Sequence, residues 1–388
     1  MKTIPIQKTK VHVVLLRANV GSLITTINND STTQRQVIFE PMFTHNNPLN
    51  MDSYLYRVFR NVEKKIPMTY IGGTKIVMGA PQRCNKKYIS GSTGRQGELN
   101  VCDWATYLKQ CIDEFLPCME DYISGELKGL RFWSDNQKAR AFWFAFTSWI
   151  RNSLQNNIYQ SIWFGDTNLE LKDWKHCPNL TDKENQRLFF MLSRCKGIWQ
   201  DLLEHGRIFL DIPKGELPEE YAITLFEKMW KKRSLLLKTF PKNQICFVVS
   251  ESVFDNYIDC LKDPKGQISE TYNLFINGTP IDGVYKWCGV NVIRKSDWDF
   301  FDMAYMCQEE DDQYHRAILT AHNNFGVGTN IRSTVPQMEI WQGSREALNH
   351  EWMYSESEFK IGGGLVNPEL SVAARTGANS DSKKLIAL

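Results

Sequence analysis

Acid, base and nucleophile candidates are sparse and scattered in this chain. Of seven histidines, at 12, 45, 176, 205, 315, 322 and 350, only His315 and His322 stand close enough to suggest a local pair. They flank an apolar run that reads as a strand, and their odd separation sends them to opposite faces of a regular strand. A structural or surface role is therefore expected for both. Asp297 and Asp299 flank Trp298 and have the chemistry of a general acid and base, but a turn beside a buried Trp is the simpler expectation. The run Glu309-Glu310-Asp311-Asp312 offers oxygen ligands to a divalent cation. It lacks the spacing and the glycine of an EF-hand loop, so a solvated loop is expected. His350-Glu351 is followed by Trp352, Met353 and Tyr354, which rules out HExxH, and no GxSxG nucleophile elbow occurs.

The glycine-rich stretch Ser90-Gly91-Ser92-Thr93-Gly94-Arg95-Gln96-Gly97 suggests a phosphate cradle, yet GxxxxGK[ST] is absent and no GxGxxG joins a strand to a helix. Ten cysteines, at 84, 102, 111, 118, 177, 195, 246, 260, 288 and 307, form no CxxC, and His176-Cys177 is an isolated pair. They read as reduced, mostly buried thiols of a protein made in a reducing cytoplasm. No catalytic, cofactor or metal residue is thus assigned, and the balance moves toward a structural or interaction protein.

The whole chain fits that direction. Its 388 residues are 42% hydrophobic and 23% charged, a globular composition. The net charge of +2, from 46 basic and 44 acidic residues, gives no global grip on DNA or an anionic membrane. The N-terminal apolar run is too short for a secretory signal, and no run of 18 apolar residues is present to span a membrane.

Elements that could position function follow from periodicity. In Ser134 to Asp166 the residues Ala139, Phe142, Trp143, Phe146, Ile150, Leu154, Ile158 and Ile162 recur every three or four positions, predicting a helix with Ser134 as N-cap and Gly165 as stop. Unbroken, it would extend ~45 Å at about 1.5 Å per residue, a rod for other layers to pack on. The pairing of aromatic and basic residues in Arg140-Ala141-Phe142-Trp143 suits base stacking, but at helical spacing it reads as core.

Before this rod, residues 1–60 read as an extended arm, with a short helix over 52–60. Residues 61–105 form a basic hairpin carrying Arg83, Lys86, Lys87 and Arg95, and 102–122 is an amphipathic stretch broken by Pro117. After it, Thr181 to Leu203 is a helix opened by the capping box Thr181/Glu184. A mixed α/β unit then holds a helix over 219–237, the strand Gln244–Ser250, the helix Glu251–Leu261, and strands at 290–293 and 316–319. Strands at 338–341, 352–354 and 358–361 surround Gly362-Gly363-Gly364, and a polar tail from Arg375 is expected to be flexible.

Taken in order, these pieces resemble the major capsid protein of tailed bacteriophages, with its Hong Kong ninety-seven-like fold, and most nearly its versions in phages of gut Bacteroidales, including the crAss-like group. The pieces are the arm, the Gly- and Arg-rich hairpin, and the long helix closing on Ile162-Trp163-Phe164-Gly165-Asp166. Then come Phe247-Val248-Val249-Ser250 running into a helix, and Arg316-Ala317-Ile318-Leu319-Thr320 with Asn323-Asn324-Phe325-Gly326-Val327-Gly328-Thr329.

The resemblance implies an α+β fold with an N-terminal arm (1–60), an E-loop hairpin (61–105) and a peripheral domain with spine helix (106–212, helix 134–162). An axial α/β domain (213–335), a return to the peripheral domain (336–374) and the tail (375–388) complete it. It further implies a non-enzymatic shell protein, without cofactor or metal, assembling with itself into hexamers and pentamers of an icosahedral head around double-stranded DNA. Its partners would be portal, scaffolding and cement proteins, with assembly in the bacterial cytoplasm, location in the virion and no membrane. Arg83, Lys86, Lys87 and Arg95 are the expected inter-subunit contacts. The family's crosslinking branch joins a Lys to an Asn; neither partner matches a position here, and no crosslink is assigned. The rivals are a minor head or closure protein of the same virion, and a cytosolic α/β enzyme using Asp297, Asp299 and His315.

Overall fold

The computed structural model describes residues 55–60, 62, 65–68, 97–111, 153–170, 180–262, 285–305, 313–330, 338–345 and 350–378. The chain opens with β1 (Tyr56–Arg60), a strand where a short helix is expected. Tertiary pairing decides this: β1 lies parallel to a later strand, with Tyr56 opposite Phe325 and Arg60 opposite Thr329. β2 (Lys65–Met68) and β3 (Gly97–Asn100) form an antiparallel ladder, and β4 (Cys102–Cys111) makes the first half of the stretch 102–122 a strand. Residues 153–164 are α1, the C-terminal part of the predicted rod; residues 134–152 lie outside those described.

α2 (Asp182–Arg194) and α3 (Ile198–Glu204) replace the single helix expected over 181–203. The Thr181 and Glu184 capping box is present in both directions, but Cys195 is extended and Gly197 restarts the helix. β5 (Ile208–Ile212) follows, then α4 (Tyr221–Lys231) and the short α5 (Leu235–Lys238). The break between them occurs where the Ser234 hydroxyl accepts the Leu237 N–H and caps a new turn. β6 (Ile245–Ser250) runs directly into α6 (Glu251–Leu261). β7 (Tyr285–Trp287) and β8 (Val290–Lys295) lead to α7 (Ser296–Tyr305), a helix where a turn is expected around Trp298. β9 (Arg316–Ala321), β10 (Phe325–Thr329), β11 (Met338–Arg345), β12 (His350–Leu365) and β13 (Ser371–Thr376) complete the order.

Two sheets organise these elements. In the six-stranded sheet the order is β5-β13-β9-β6-β8-β7. β6 pairs parallel to β8 and antiparallel to β9, so the path β6-α6-β8 is a parallel crossover within a mixed sheet. Every residue of β6 is buried. The two-residue period of a strand distributes them between two cores. Cys246 and Val248 face the core shared with α1, α2 and α3; Ile245, Phe247 and Val249 face the core under α4 and α6. β13 is buried throughout, including Arg375 and Thr376, so the chain stays in the sheet two residues beyond the expected start of the tail.

The second sheet is built on β12, sixteen residues long, where the shorter strands 352–354 and 358–361 beside Gly362-Gly363-Gly364 are expected. β11 pairs with residues 350–357 of β12 along one edge, β4 with 352–361 along the other, and β10 with the last five residues. The glycines lie inside the strand because both faces are crowded. A Cβ on Gly362 would overlap the Asn100 carbonyl oxygen, and one on Gly363 would lie 2.8 Å from both Cγ2 and the carbonyl oxygen of Ile162 on α1. Gly328, opposite Gly362, faces Leu99 and Val101 in the same way.

α1 closes on an aromatic knot. Trp163 meets Trp298 at 4.8 Å and Phe325 at 5.1 Å between ring centroids, and its Nε1 donates to the Tyr56 hydroxyl at 3.1 Å. Phe164 stacks on Phe301 at 4.2 Å. Gly165 ends the helix as expected, and its missing side chain leaves room for the Cys195 carbonyl.

Candidate functional site

The four cations expected to touch neighbours, Arg83, Lys86, Lys87 and Arg95, lie outside the described residues, as does the acidic run 309–312. The base of their segment is described. Lys65 pairs with Asn100 and Met68 with Gly97, so the chain leaves and returns at one place. Just beyond, Cys102 is joined to Cys195 by a disulfide with a Cα–Cα separation of 5.9 Å. This corrects the expectation of uniformly reduced thiols, and it fastens the start of β4 to the end of α2. Among the described free cysteines, Cys246 is buried, Cys260 half-buried and Cys288 exposed.

Of the residues named for an enzyme, the structure brings His315 and Asp299 to one cluster, joined by Ser252. His315 Nε2 lies 2.6 Å from the Gly215 carbonyl and therefore donates to it, which leaves Nδ1 to accept from the Ser252 hydroxyl at 2.7 Å. The Asp299 carboxylate accepts the Glu251 N–H at 2.5 Å and stands 3.3 Å from both Ser252 Oγ and Gln313 Nε2. Burial pushes the Asp299 carboxyl up to about 6 and pushes the His315 imidazole down. Arg316 pairs with Asp302 and lies over the Phe164 and Trp199 rings.

The cluster is closed on itself. His315 is 1% exposed and Asp299 3%, and both imidazole nitrogens are occupied within the protein. In a Ser–His–acid relay the carboxylate holds the imidazole, whereas here it accepts a backbone N–H, that of Glu251. Asp297 and Asp299, two apart on α7, do not share a helix face. His322 follows the last residue of β9 and does not join His315. Its backbone N–H instead donates to the Gln244 carbonyl at 2.9 Å, at the opposite end of the six-stranded sheet. The cluster's contacts tie the start of α6, α7, β9 and the segment around Gly215 together, which is structural work.

Two further polar nodes escape sequence reasoning. Asp201 on α3, 2% exposed, accepts the Leu365 N–H at 2.6 Å and pairs with Lys196 and His205, so it clips β12 to the helical layer. Its hydrogen bond holds the His205 imidazole above its ordinary value. Asn324, in the turn between β9 and β10, donates to Thr320 Oγ1 and Ser371 Oγ and accepts the Asn367 N–H. The pair Asn323-Asn324 signals the turn, where Asn323 takes the left-handed conformation (φ 57°), but it does not signal the buried partners of Asn324. A cavity of about 890 Å³ runs between α1 and α2, with Leu154, Ile158, Leu188, Met191 and Phe359 in its lining. Phe190, 57% exposed, stands at this groove as well.

No protein-family model and no curated protein matches the sequence. Among solved structures, the chain is similar to one of the satellite phage P4 procapsid including size determination protein, at 8% identity and a TM-score of 0.50, covering 89% of this chain and 88% of that one. The capsid of an empty GTA particle (12% identity, TM-score 0.42, 85% and 90% covered) is also similar. So is the virus-like particle from Pyrococcus furiosus (9%, 0.40, 88% and 97%). The expected α+β architecture is borne out on the first of these: the chain has the Hong Kong ninety-seven-like fold of phage capsid structures.

Proposed function

We propose that this chain is the major capsid protein of a tailed bacteriophage, assembling with itself into the hexamers and pentamers of an icosahedral head around double-stranded DNA. The observation that carries the reading is the shared architecture with the satellite phage P4 procapsid chain over nearly the full length of both. Its closeness to phages of gut Bacteroidales rests on the sequence around Ile162-Trp163-Phe164-Gly165-Asp166 and the β9–β10 turn.

In this reading the arm 1–60 and the hairpin 61–105 overlap adjacent subunits, with Arg83, Lys86, Lys87 and Arg95 as contacts. Residues 213–335 gather near the capsomer axis, and 106–212 with 336–374 form the peripheral domain. A shell subunit buries area against several neighbours, beyond the roughly 1,600 Å² of a standard interface, and extended segments supply that area better than a compact surface. Portal, scaffolding and cement proteins are its further partners, the host bacterial cytoplasm its place of assembly and the virion its destination. The protein has no catalytic role in this reading, consistent with the closed Ser252–His315–Asp299 cluster. Negative-stain microscopy of the full chain, expressed alone and with its neighbouring genes, should show shells, tubes or capsomers. A strictly monomeric protein that turns over a small molecule would overturn the proposal.

A further inference from the structure

The two ends of α4 carry opposite charge. Glu216, Glu219 and Glu220 precede its first residue and are exposed. Lys228, Lys231, Lys232, Arg233, Lys238 and Lys242 occupy its last turns and the segment beyond, all exposed but the half-buried Arg233. The eleven residues of the helix separate the groups by roughly 16 Å. A helix dipole favours acids at its start and bases at its end, but the effect fades within one turn. It does not account for Glu216, Lys238 or Lys242.

Nor does pairing among the described residues. Lys231 meets Glu227 at 3.9 Å. Among the described residues, none of Lys228, Lys232, Arg233, Lys238 and Lys242 forms an ion pair with a carboxylate, and none of Glu216, Glu219 and Glu220 forms one with a cation. Elsewhere in the same unit charges are matched, as in Arg294 with Glu251 at 3.1 Å and Lys262 with Asp259 at 2.5 Å.

Two of the unpaired cations are held in place. The Arg233 guanidinium lies 3.2 Å from the Trp230 ring centroid while its Nε donates to the Trp230 carbonyl at 2.8 Å, and Lys242 donates to the Cys288 carbonyl at 2.9 Å. Between them Leu235 stands 83% exposed. Lys231 apart, the surface is therefore a partly ordered group of cations around an apolar residue, without a paired carboxylate among the described residues. Clustered like charges repel one another, and a partner presenting carboxylates removes that cost.

We infer that the partner is a second copy of this chain. The Lys228–Lys242 surface of one copy docks head-to-tail against the Glu216–Glu220 surface of the next, covering Leu235. A contact between two different patches is heterologous, and it closes into a ring when the rotation between copies completes a turn. The ring rests on the shell reading; the charge pairing does not.

The test is a charge exchange in the full-length protein. Lys228→Glu/Lys232→Glu/Lys238→Glu and, separately, Glu216→Lys/Glu219→Lys/Glu220→Lys should each abolish self-association in sedimentation velocity, with the melting temperature kept within a few degrees. Combining all six changes should restore it, and raising salt from about 0.15 M to about 1 M should weaken the wild-type contact as the screening length falls. The inference is overturned if either triple variant associates like wild type, or if the combined protein stays monomeric. It is also overturned if the lysine variant still forms particles and only their nucleic-acid content drops. Wild-type protein that forms salt-sensitive oligomers but no shells would remove the shell reading and leave the pairing standing. A wild type monomeric at all concentrations removes both.

Discussion

At the scale of single residues, the buried ionisable groups make stability depend on pH in two opposing ways. Asp299 has its carboxyl raised from 3.8 to about 6 by burial. Its favourable contribution is complete below the unfolded value and is lost as pH rises through about 6. His315 is pushed below 6.5 by burial, so its contribution is present above that value and lost as pH falls through the lower folded one. Asp299→Asn keeps an acceptor for the Glu251 N–H and removes only the first effect. Between about pH 4 and about pH 7 the stability of the variant relative to wild type should move in its favour, by up to ~3 kcal/mol. A difference that stays flat across that range in thermal melts would show that Asp299 does not titrate as its burial implies.

Glycine positions make a second residue-scale case. Gly362→Ala forces a methyl group onto the Asn100 carbonyl, which is backbone and cannot swing aside. Overpacking of this kind costs about 1–3 kcal/mol or more. Gly206→Ala meets nothing within 4 Å, and only its φ of +57° opposes the change, at about 1–2 kcal/mol. Denaturant titrations should rank wild type above Gly206→Ala and Gly206→Ala above Gly362→Ala.

At the scale of elements, the disulfide joins β4 to the end of α2 across a sequence separation of 93. In the chain-entropy account, closing a loop of that size is worth about 4–5 kcal/mol. Thiol alkylation of the denatured, unreduced protein should leave Cys102 and Cys195 unlabelled and in one linked peptide. Cys102→Ser should lower the denaturant midpoint and raise hydrogen exchange in β4 well before β6, which is fixed by two neighbouring strands. Labelling of both cysteines at full stoichiometry would refute the bond.

At the scale of the whole molecule, the proposed role of a shell subunit would separate folding from assembly. The cores on the two faces of the six-stranded sheet draw on described buried residues of one chain, so changes in the proposed hairpin, which contributes none of them, should spare the fold. Changing Arg83, Lys86, Lys87 and Arg95 together to Glu should abolish particles in the microscope while the melting temperature holds. A collapse of the melting temperature would instead make the proposed hairpin part of the core.

What the sequence determined by itself is local. The stripe Leu154, Ile158 and Ile162 at four-residue spacing, the stop at Gly165, the apolar run Ile245 to Val249 of β6 with α6 beginning at Glu251, and the Thr181/Glu184 cap each follow from neighbours within one or two turns. They are readable because burial imposes a period on the chain wherever one face meets a core. The order of those pieces also carried the fold. What only the tertiary structure decided involves partners far apart in sequence. Residues 56–60 became a strand because β10 offers an edge, Gly362 and Gly363 stayed in a strand because Asn100 and Ile162 press on both faces, and Cys102 found Cys195 across two layers. The same holds for the residues that could do chemistry. His315 and Asp299 meet through Ser252, 63 and 47 positions away, and burial of the cluster turned a conceivable acid–base pair into a structural tie.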